Sequence, residues 1–353
     1  MGQRNCRSMR EVAEKAGVSV MTVSRALRND YGVAAATRAR VYQAAKAIGY
    51  RPNPMLAALM ANLRANRAPK SVDVIAFLTS HRERGEWRKS RTFSSFFNGA
   101  QERAEQLGFR LEEFWLRQPG MTDPRMSRIL RARGISGVII APFPNPGAPM
   151  ELQWENFALA TIGYSLSTPI LHRTTNHQIH SIRLALKKVT ECGYRRIGLV
   201  LDSANDQRAD HNWVMALLHY QRDVPAKDRI PPLLPDALTP SLVREWLRKW
   251  KPDSIIGARM ELSDWLHDSG VRVPDDMGYV NIDRYPVMTG VAGIDEKSRA
   301  VGASAVNLVV EQLYFNERGI PGEPKVVLIE GAWVDGSTLR PKEMGSETGT
   351  LTI

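Results

Sequence analysis

The chain has 353 residues, of which 43% are hydrophobic and 24% are charged, the make-up of a soluble protein that can bury a sizeable core in two or three folded units. No apolar run approaches the ~20 residues of a membrane span, and the N-terminus lacks a secretory signal, so we expect a cytoplasmic protein. Its two cysteines, Cys6 and Cys192, are too few for a thiolate zinc cluster, and a disulfide is not expected in a reducing compartment.

The net charge of +11 is concentrated at the start of the chain. The first 70 residues carry 13 lysines and arginines against 3 acidic residues, whereas the other 283 carry 35 against 34. A small basic segment ahead of a neutral body indicates contact with a polyanion such as DNA, because basic side chains displace counterions condensed on phosphates. The alternative reading of the charge alone is a disordered basic tail.

Two short helices joined by a glycine turn are predicted at the start of this basic segment. Ser8 and Glu11 have the spacing of a capping box, and the first helix should end at Gly17. Ser19 can cap a second helix, in which Val23 and Leu27 share a face. This pattern predicts a helix-turn-helix, whose second helix enters the major groove of DNA.

Two further helices are predicted before residue 70. The third runs from about Thr37 to Ala47, although Ala34 precedes it where a capping side chain would be expected. Asn53 and Pro54 suit the start of a short fourth helix over about 53–63, which on its own would be marginal in water. Residues 62–70 then form a polar linker.

The run MREVAEKAGVSVMTVSRALRNDYGVAAATRARVYQAAKAIGYRPNP resembles the N-terminal domain of the lactose-repressor (LacI/GalR) family of bacterial transcription regulators. The marks are VAEKAGVS, TVSRAL, TR..V..A and GYRPN at the family's spacing. The resemblance implies an all-α helix-turn-helix DNA-binding domain over 1–61. It also implies that 53–63 is the family's hinge helix, which orders on the operator and pairs with its twin in the minor groove.

The residue types fit this implied interface. Arg25 can present a two-pronged donor to guanine, whereas the hydroxyls of Thr22 and Ser24 suit phosphate oxygens. Val20 and Met21 occupy the positions through which family members distinguish their operators. Neither side chain can donate a hydrogen bond to a base, so both can only pack against bases. An alternative for Met21 is that it is an ordinary surface residue. The expected DNA-binding residues are Ser19, Val20, Met21, Thr22, Ser24, Arg25, Thr37, Asn53 and Leu59. By resemblance, Leu59 wedges into a base step; the alternative is that Leu56 and Leu59 pack between subunits.

From Ser71 onward, apolar strand-like runs alternate with helical stretches, which predicts parallel sheets. The sequence contains no glycine-rich phosphate loop and no GxSxG nucleophile motif, so we expect no nucleotide cofactor and no serine hydrolase. His172, His177 and His180 lie close in sequence, but no acidic residue stands at ligand spacing, so we expect no metal site. Cys192 is expected to be a small core residue.

The body resembles the effector-binding core of the same family, most strongly in ECGYRRIGLV, SGVRVPDDMGYVNID and WVDGST. The implied fold is α/β, with two doubly wound parallel-sheet lobes like those of periplasmic binding proteins (type I) over 71–340. By resemblance, the first lobe comprises about 71–170 and 295–325, and the second about 171–294 and 326–340. Residues 341–353 form a short tail without leucine heptads.

A ligand of such a core binds between the lobes, outside the carboxyl ends of the strands. Asp283 matches the family's first effector-binding aspartate and Phe93 a pocket aromatic, while the match of Arg208 to a ligand arginine is displaced by one residue. Arg284 and Asn281 depart from the family pattern. An aspartate and an arginine over an aromatic ring suit a sugar, and purines are also known as effectors in the family.

The sequence therefore predicts a homodimeric transcription regulator, most often a repressor, that binds double-stranded DNA at a pseudo-palindromic operator under control of a small molecule. The alternative is a two-lobed small-molecule receptor or an enzyme core without operator-specific regulation. Against an enzyme stands the lack of paired carboxylates, a nucleophile or a metal constellation in the sequence.

Overall fold

A computed structural model describes residues 9–27, 32–50, 73–147 and 149–342 of the chain. The predicted hinge helix, with Asn53 and Leu59, and the predicted linker and tail residues 62–70 and 343–353 lie outside these ranges. Within them, no helix is both long and apolar enough to cross a membrane.

Three helices form the N-terminal unit. Their bounds are α1 (Met9–Ala16), α2 (Val20–Leu27) and α3 (Ala35–Ile48). All three pack around one small apolar core made mostly of alanine and valine, whose short side chains let the helices approach closely. Gly17 joins α1 to α2 at φ 64°, a left-handed conformation that glycine adopts without strain. The helix-turn-helix predicted from sequence is confirmed, and α3 begins two residues before Thr37.

The body contains two separate sheets. The strands are β1 (Val74–Thr79), β2 (Arg110–Trp115), β3 (Gly137–Ile140), β4 (Ala158–Ile162), β5 (His172–Asn176), β6 (Ile197–Val200), β7 (Ser254–Gly257), β8 (Gly278–Asn281), β9 (Ala292–Asp295), β10 (Val326–Ile329) and β11 (Ala332–Val334). The first sheet has the order β10-β5-β4-β3-β1-β2 and the second the order β11-β9-β8-β7-β6. All pairings are parallel except that of β11 with β9.

Helices connect and cover these strands. They are α4 (Arg91–Gln106), α5 (Asp123–Ala132), α6 (Gln178–Glu191), α7 (Ser203–Arg208), α8 (Asn212–Gln221), α9 (Pro240–Trp250), α10 (Leu262–Asp268) and α11 (Ser298–Phe315). Short 3₁₀ turns lie at Glu86–Lys89, Trp154–Asn156 and Ala226–Asp228. Neighbouring strand residues alternate between two apolar layers: Phe77 belongs to the core on one face of the first sheet and Leu78 to that on the other. Both faces are therefore buried, as the apolar runs predict.

The sheets divide the lobes differently from the boundaries expected from sequence. Both β5 and β10 belong to the first sheet and pair with each other, whereas the sequence prediction assigned residues 171–176 and 326–329 to the second lobe. The chain consequently crosses between lobes after Asn176, after Asp295 and after Ile329. The reason is visible in β5 itself: its sequence HRTTN is polar, yet every residue in it is buried.

Candidate functional site

The first candidate site is the exposed surface of α2. Val23 and Ala26 are completely buried against α1 and α3, so α2 is fixed by its inner face. Residues 20 and 21 point outward, with 42% of Val20 and 74% of Met21 exposed, and Arg25 is exposed as well. Two large apolar side chains and one guanidinium therefore stand on one surface, as a base-reading helix requires.

The start of α2 is held by a local cap. Ser19 Oγ accepts a hydrogen bond from the backbone N–H of Thr22 at 3.0 Å and lies 2.9 Å from Thr22 Oγ1. Ser19 and Thr22 thus orient the first turn of the helix, in addition to any contact with DNA. Thr37 is half-buried in α3, and no side-chain hydrogen bond caps that helix at Ala34, as the sequence predicts. The side chain of Ser24 lies outside the described part.

The second candidate site lies where the two lobes meet. The parallel strands of each sheet end at one edge, and His81, Pro144, Asp202, Arg259 and Asp283 each follow soon after such a strand. Ligands of open α/β sheets bind at this edge. Part of it is a cavity of about 280 Å³ in the first lobe, lined by residues that include Ser80 and Phe143, but by none of the three predicted effector residues.

Asp283 connects the two lobes directly. Its Oδ2 accepts hydrogen bonds from Thr92 Oγ1 at 2.9 Å and from Tyr285 Oη at 2.7 Å, and these two hydroxyls also contact each other. Thr92 belongs to α4 of the first lobe. Burial raises the pKa of Asp283, while the two hydroxyl donors favour its charged form. Asp283 therefore accepts a hydrogen bond from a hydroxyl of the opposite lobe, and the hydroxyl of a ligand could take the place of that donor.

Phe93 and Arg208 lie beside this bridge. The Phe93 ring packs edge-on against His81 at a centroid distance of 5.6 Å. Arg208 donates to Pro144 O of the first lobe at 3.5 Å and to Asn205 Oδ1 of its own helix. Burial lowers the pKa of Arg208. Burial is also the largest cause of the lowered pKa of His81, and the positive charge of Arg208 lowers that pKa further. The structure thus brings all three predicted residues to the junction of the lobes.

The departures from the family pattern have structural explanations. Arg284 donates to Val291 O at 2.7 Å and Met288 O at 3.2 Å, so its guanidinium braces a loop of the second lobe. Asn281 is fully buried, and its Oδ1 accepts from the backbone N–H of Asp283 at 2.9 Å. Asn281 therefore positions the residue that bridges the lobes.

Sequence reasoning missed an ion pair at the same edge, between the buried Asp202 and the half-exposed Arg259. Arg259 donates through Nε and Nη2 to the two oxygens of Asp202, at 2.8 and 2.9 Å. The hydrogen bonds that Arg259 donates to Asp202 raise the pKa of Arg259. Asp202 directly follows the run RIGLVL, and Arg259 directly follows SIIGA. A search for polar residues immediately after buried strands would have found both.

A family model described as bacterial regulatory proteins, lacI family, matches residues 8–53. Residues 8–53 are therefore similar to the N-terminal part of lacI-family regulators. The repressor CytR of Escherichia coli (strain K12) is 53% identical over 53 residues, which are 15% of this chain and 16% of that protein. The sucrose operon repressor of Vibrio alginolyticus is 50% identical over 46 residues, 13% of this chain and 49% of that sequence. The sequence matches thus span less than half of these relatives.

Solved structures of transcription regulators resemble the fold described above. A transcriptional regulator CelR in complex with cellobiose aligns with a TM-score of 0.60 and 20% identity, covering 94% of this chain and 99% of that one. A lac repressor dimer bound to operator and the anti-inducer ONPF aligns with a TM-score of 0.57 and 20% identity, covering 95% and 99%. At this identity the likeness shows the fold: a helix-turn-helix domain followed by a two-lobed α/β core.

Proposed function

We propose that this protein is a DNA-binding transcription regulator of the lacI family, a repressor, that acts as a homodimer on a pseudo-palindromic operator. The observation that carries this proposal is the outward face of α2, which presents Val20, Met21 and Arg25 on a helix fixed by its buried side. The basic charge of the first 70 residues supports it, and so do the matched relatives, which are repressors. The proposed role is regulatory and involves no chemical step.

Arg25→Ala is expected to lose roughly 1 to 3 kcal/mol of operator binding, chiefly at one G·C pair in each half-site, because the two-pronged contact to guanine is lost. The operator would first be selected from random-sequence DNA with the full-length protein. Fluorescence anisotropy at fixed salt would then compare the selected site, the same site with that pair changed, and random DNA.

Arg25→Lys is the matched control, because lysine keeps the positive charge but lacks the planar guanidinium fork. If Arg25 reads guanine, the lysine variant also loses discrimination at that pair. A lysine variant that binds and discriminates like the wild type would assign Arg25 to a phosphate, and equal weakening of Arg25→Ala on operator and random DNA would do the same.

We further propose that a small hydroxylated molecule of the carbohydrate class controls DNA binding from the junction of the lobes. Asp283, Arg208 and the Phe93 ring supply the acceptor, donor and apolar wall that a sugar requires. The CelR structure of the same fold holds cellobiose, which supports this class. Binding there would change the contacts between lobes and so shift the equilibrium between their arrangements.

Asp283→Asn is expected to weaken effector binding at least roughly fivefold while leaving ligand-free operator affinity unchanged, because an acceptor oxygen is lost at a residue outside the DNA-binding helices. The effector would be found by thermal-shift screening of sugars and nucleosides and measured by calorimetric titration. Asp268→Asn, on the exposed end of α10, is the control. Wild-type affinity in Asp283→Asn would make Asp283 a bridge between lobes only.

A further inference from the structure

Two of the three chain crossings between the lobes carry metal-ligating side chains. His177 directly follows β5, and His180 lies in the first turn of α6, the first helix of the second lobe. Glu330 lies between β10 of the first sheet and β11 of the second. We call His177, His180 and Glu330 the crossing triad.

The crossing triad places three possible ligand atoms close to one another. One ligand atom of each residue lies within 4.8 Å of the other two. The two imidazole centroids are 5.7 Å apart, and His180 Nδ1 lies 3.9 Å from Glu330 Oε1. Bonds of about 2.0 to 2.2 Å to a tetrahedral ion place neighbouring ligand atoms about 3.4 Å apart. Movements of about 1 Å in the side chains would therefore bring the three ligand atoms to bonding distance of one ion.

The donor set selects the class of ion. Two imidazoles and one carboxylate suit zinc and its neighbours among the divalent transition metals, whereas magnesium and calcium prefer oxygen ligands. The side chains of His180 and Glu330 are 34% and 68% exposed, so an ion can enter from solvent and keep water as a fourth ligand.

His177 contributes a buried nitrogen. Its Nδ1 is shielded from solvent and has no hydrogen-bond partner among the described residues. Burying an unpaired ring nitrogen is unfavourable, and a metal bond to that nitrogen would remove the cost.

We propose that His177, His180 and Glu330 bind one zinc-class divalent ion, which ties the crossing after β5 to the crossing after β10. The site opposes the expectation from sequence that no metal is bound. That expectation considered His172, which instead accepts a hydrogen bond from the backbone N–H of Lys325 at 3.0 Å. The acidic ligand, Glu330, comes from a distant part of the chain that ligand spacing along the sequence cannot detect.

Zinc binding by the full-length protein, purified without a histidine tag and stripped of metal, tests the site. Competition with a chromophoric chelator is expected to show one tightly bound Zn²⁺ in the wild type. His180→Ala and Glu330→Gln each remove one ligand, so the affinity should fall at least tenfold in each, which is about 1.4 kcal/mol. His267→Ala, an exposed histidine on α10, is the matched control and should bind Zn²⁺ like the wild type.

Thermal unfolding supplies the second readout. An ion that binds only the folded protein raises the melting temperature, so Zn²⁺ should stabilise the wild type and His267→Ala but neither ligand variant, and Mg²⁺ should stabilise none. Because His180 and Glu330 are partly exposed, both variants should melt like the wild type without metal. The proposal is overturned if the wild type binds no stoichiometric Zn²⁺, or if His180→Ala and Glu330→Gln bind it as tightly as the wild type.

Discussion

Glu296→Gln is expected to stabilise the protein strongly above pH 8 and much less at pH 5. Glu296 follows β9 at the second crossing between the lobes and is only 4% exposed. Neither of its carboxylate oxygens has a hydrogen-bond partner with good geometry among the described residues. Burial raises the pKa of Glu296 to about 8. The nearby Ser181 hydroxyl lowers this pKa, and the charges of Asp283 and Asp295 raise it by smaller amounts.

The sign of the effect follows from the direction of this shift. The carboxyl binds its proton more tightly in the folded protein than in the unfolded chain, where its pKa is about 4.5. The folded state is therefore favoured by protonation, and this stability is lost progressively as the pH rises from about 4.5 to about 8. The loss is on the order of 5 kcal/mol when both states are ionised.

Urea unfolding of the wild type and of Glu296→Gln at several values between pH 5 and pH 9 measures this difference. The glutamine side chain stays neutral, so the gap between the two free energies of unfolding should widen with pH. Glu323→Gln, at an exposed position, is the control and should show a constant gap. A constant gap for Glu296→Gln would mean that its carboxylate is well solvated or paired in the folded protein.

The strands that consist mostly of apolar residues were predictable from the sequence. The strand segments VIAFL and IIGA are apolar throughout, because both faces of a parallel sheet are covered. The strand β5 was not predictable in this way. Its buried polar groups are satisfied by tertiary contacts, as when Arg173 donates to Gly163 O and Leu166 O, and no local pattern records such partners.

Some features of the candidate sites were also predictable from the sequence, and others were not. The outward position of Met21 and Arg25 follows from helical periodicity, and the place of Asp283 follows from its position at the end of a strand. By contrast, the contact of Asp283 with Thr92 and that of His180 with Glu330 join segments far apart in the chain. Such pairs are fixed by the packing of whole lobes, which the order of residues alone does not determine.

Gly302→Ala is expected to destabilise the protein by about 3 kcal/mol, because α4 and α11 cross with their backbones in contact. A Cβ on Gly302 would lie 1.9 Å from Phe96 O and 3.0 Å from Ala100 N, both backbone atoms of α4. On the other helix, a Cβ on Gly99 would lie 1.9 Å from Arg299 O. Backbone atoms cannot rotate away as a side chain can, so the helices must separate.

Two opposing effects set the size of the change. Alanine in place of glycine reduces the freedom of the unfolded chain, which stabilises by about 0.4 to 1 kcal/mol. The separation of two packed helices costs more, so the net effect is loss of stability. Gly322→Ala is the matched control, since a Cβ at Gly322 meets no atom within 4 Å, and we expect a change within about 0.5 kcal/mol. Urea unfolding measures both variants.

Gly302→Ala should also change the geometry of the proposed effector site. The helix α4 also carries Thr92 and Phe93, so moving it away from α11 shifts the hydroxyl that Asp283 binds and the ring that packs on His81. Gly302→Ala is therefore expected to weaken effector binding in calorimetric titration at temperatures where the variant is still folded, and Gly322→Ala is not. Effector affinity equal to that of the wild type in folded Gly302→Ala would show that the crossing of α4 and α11 stabilises the first lobe without positioning its ligand-facing residues.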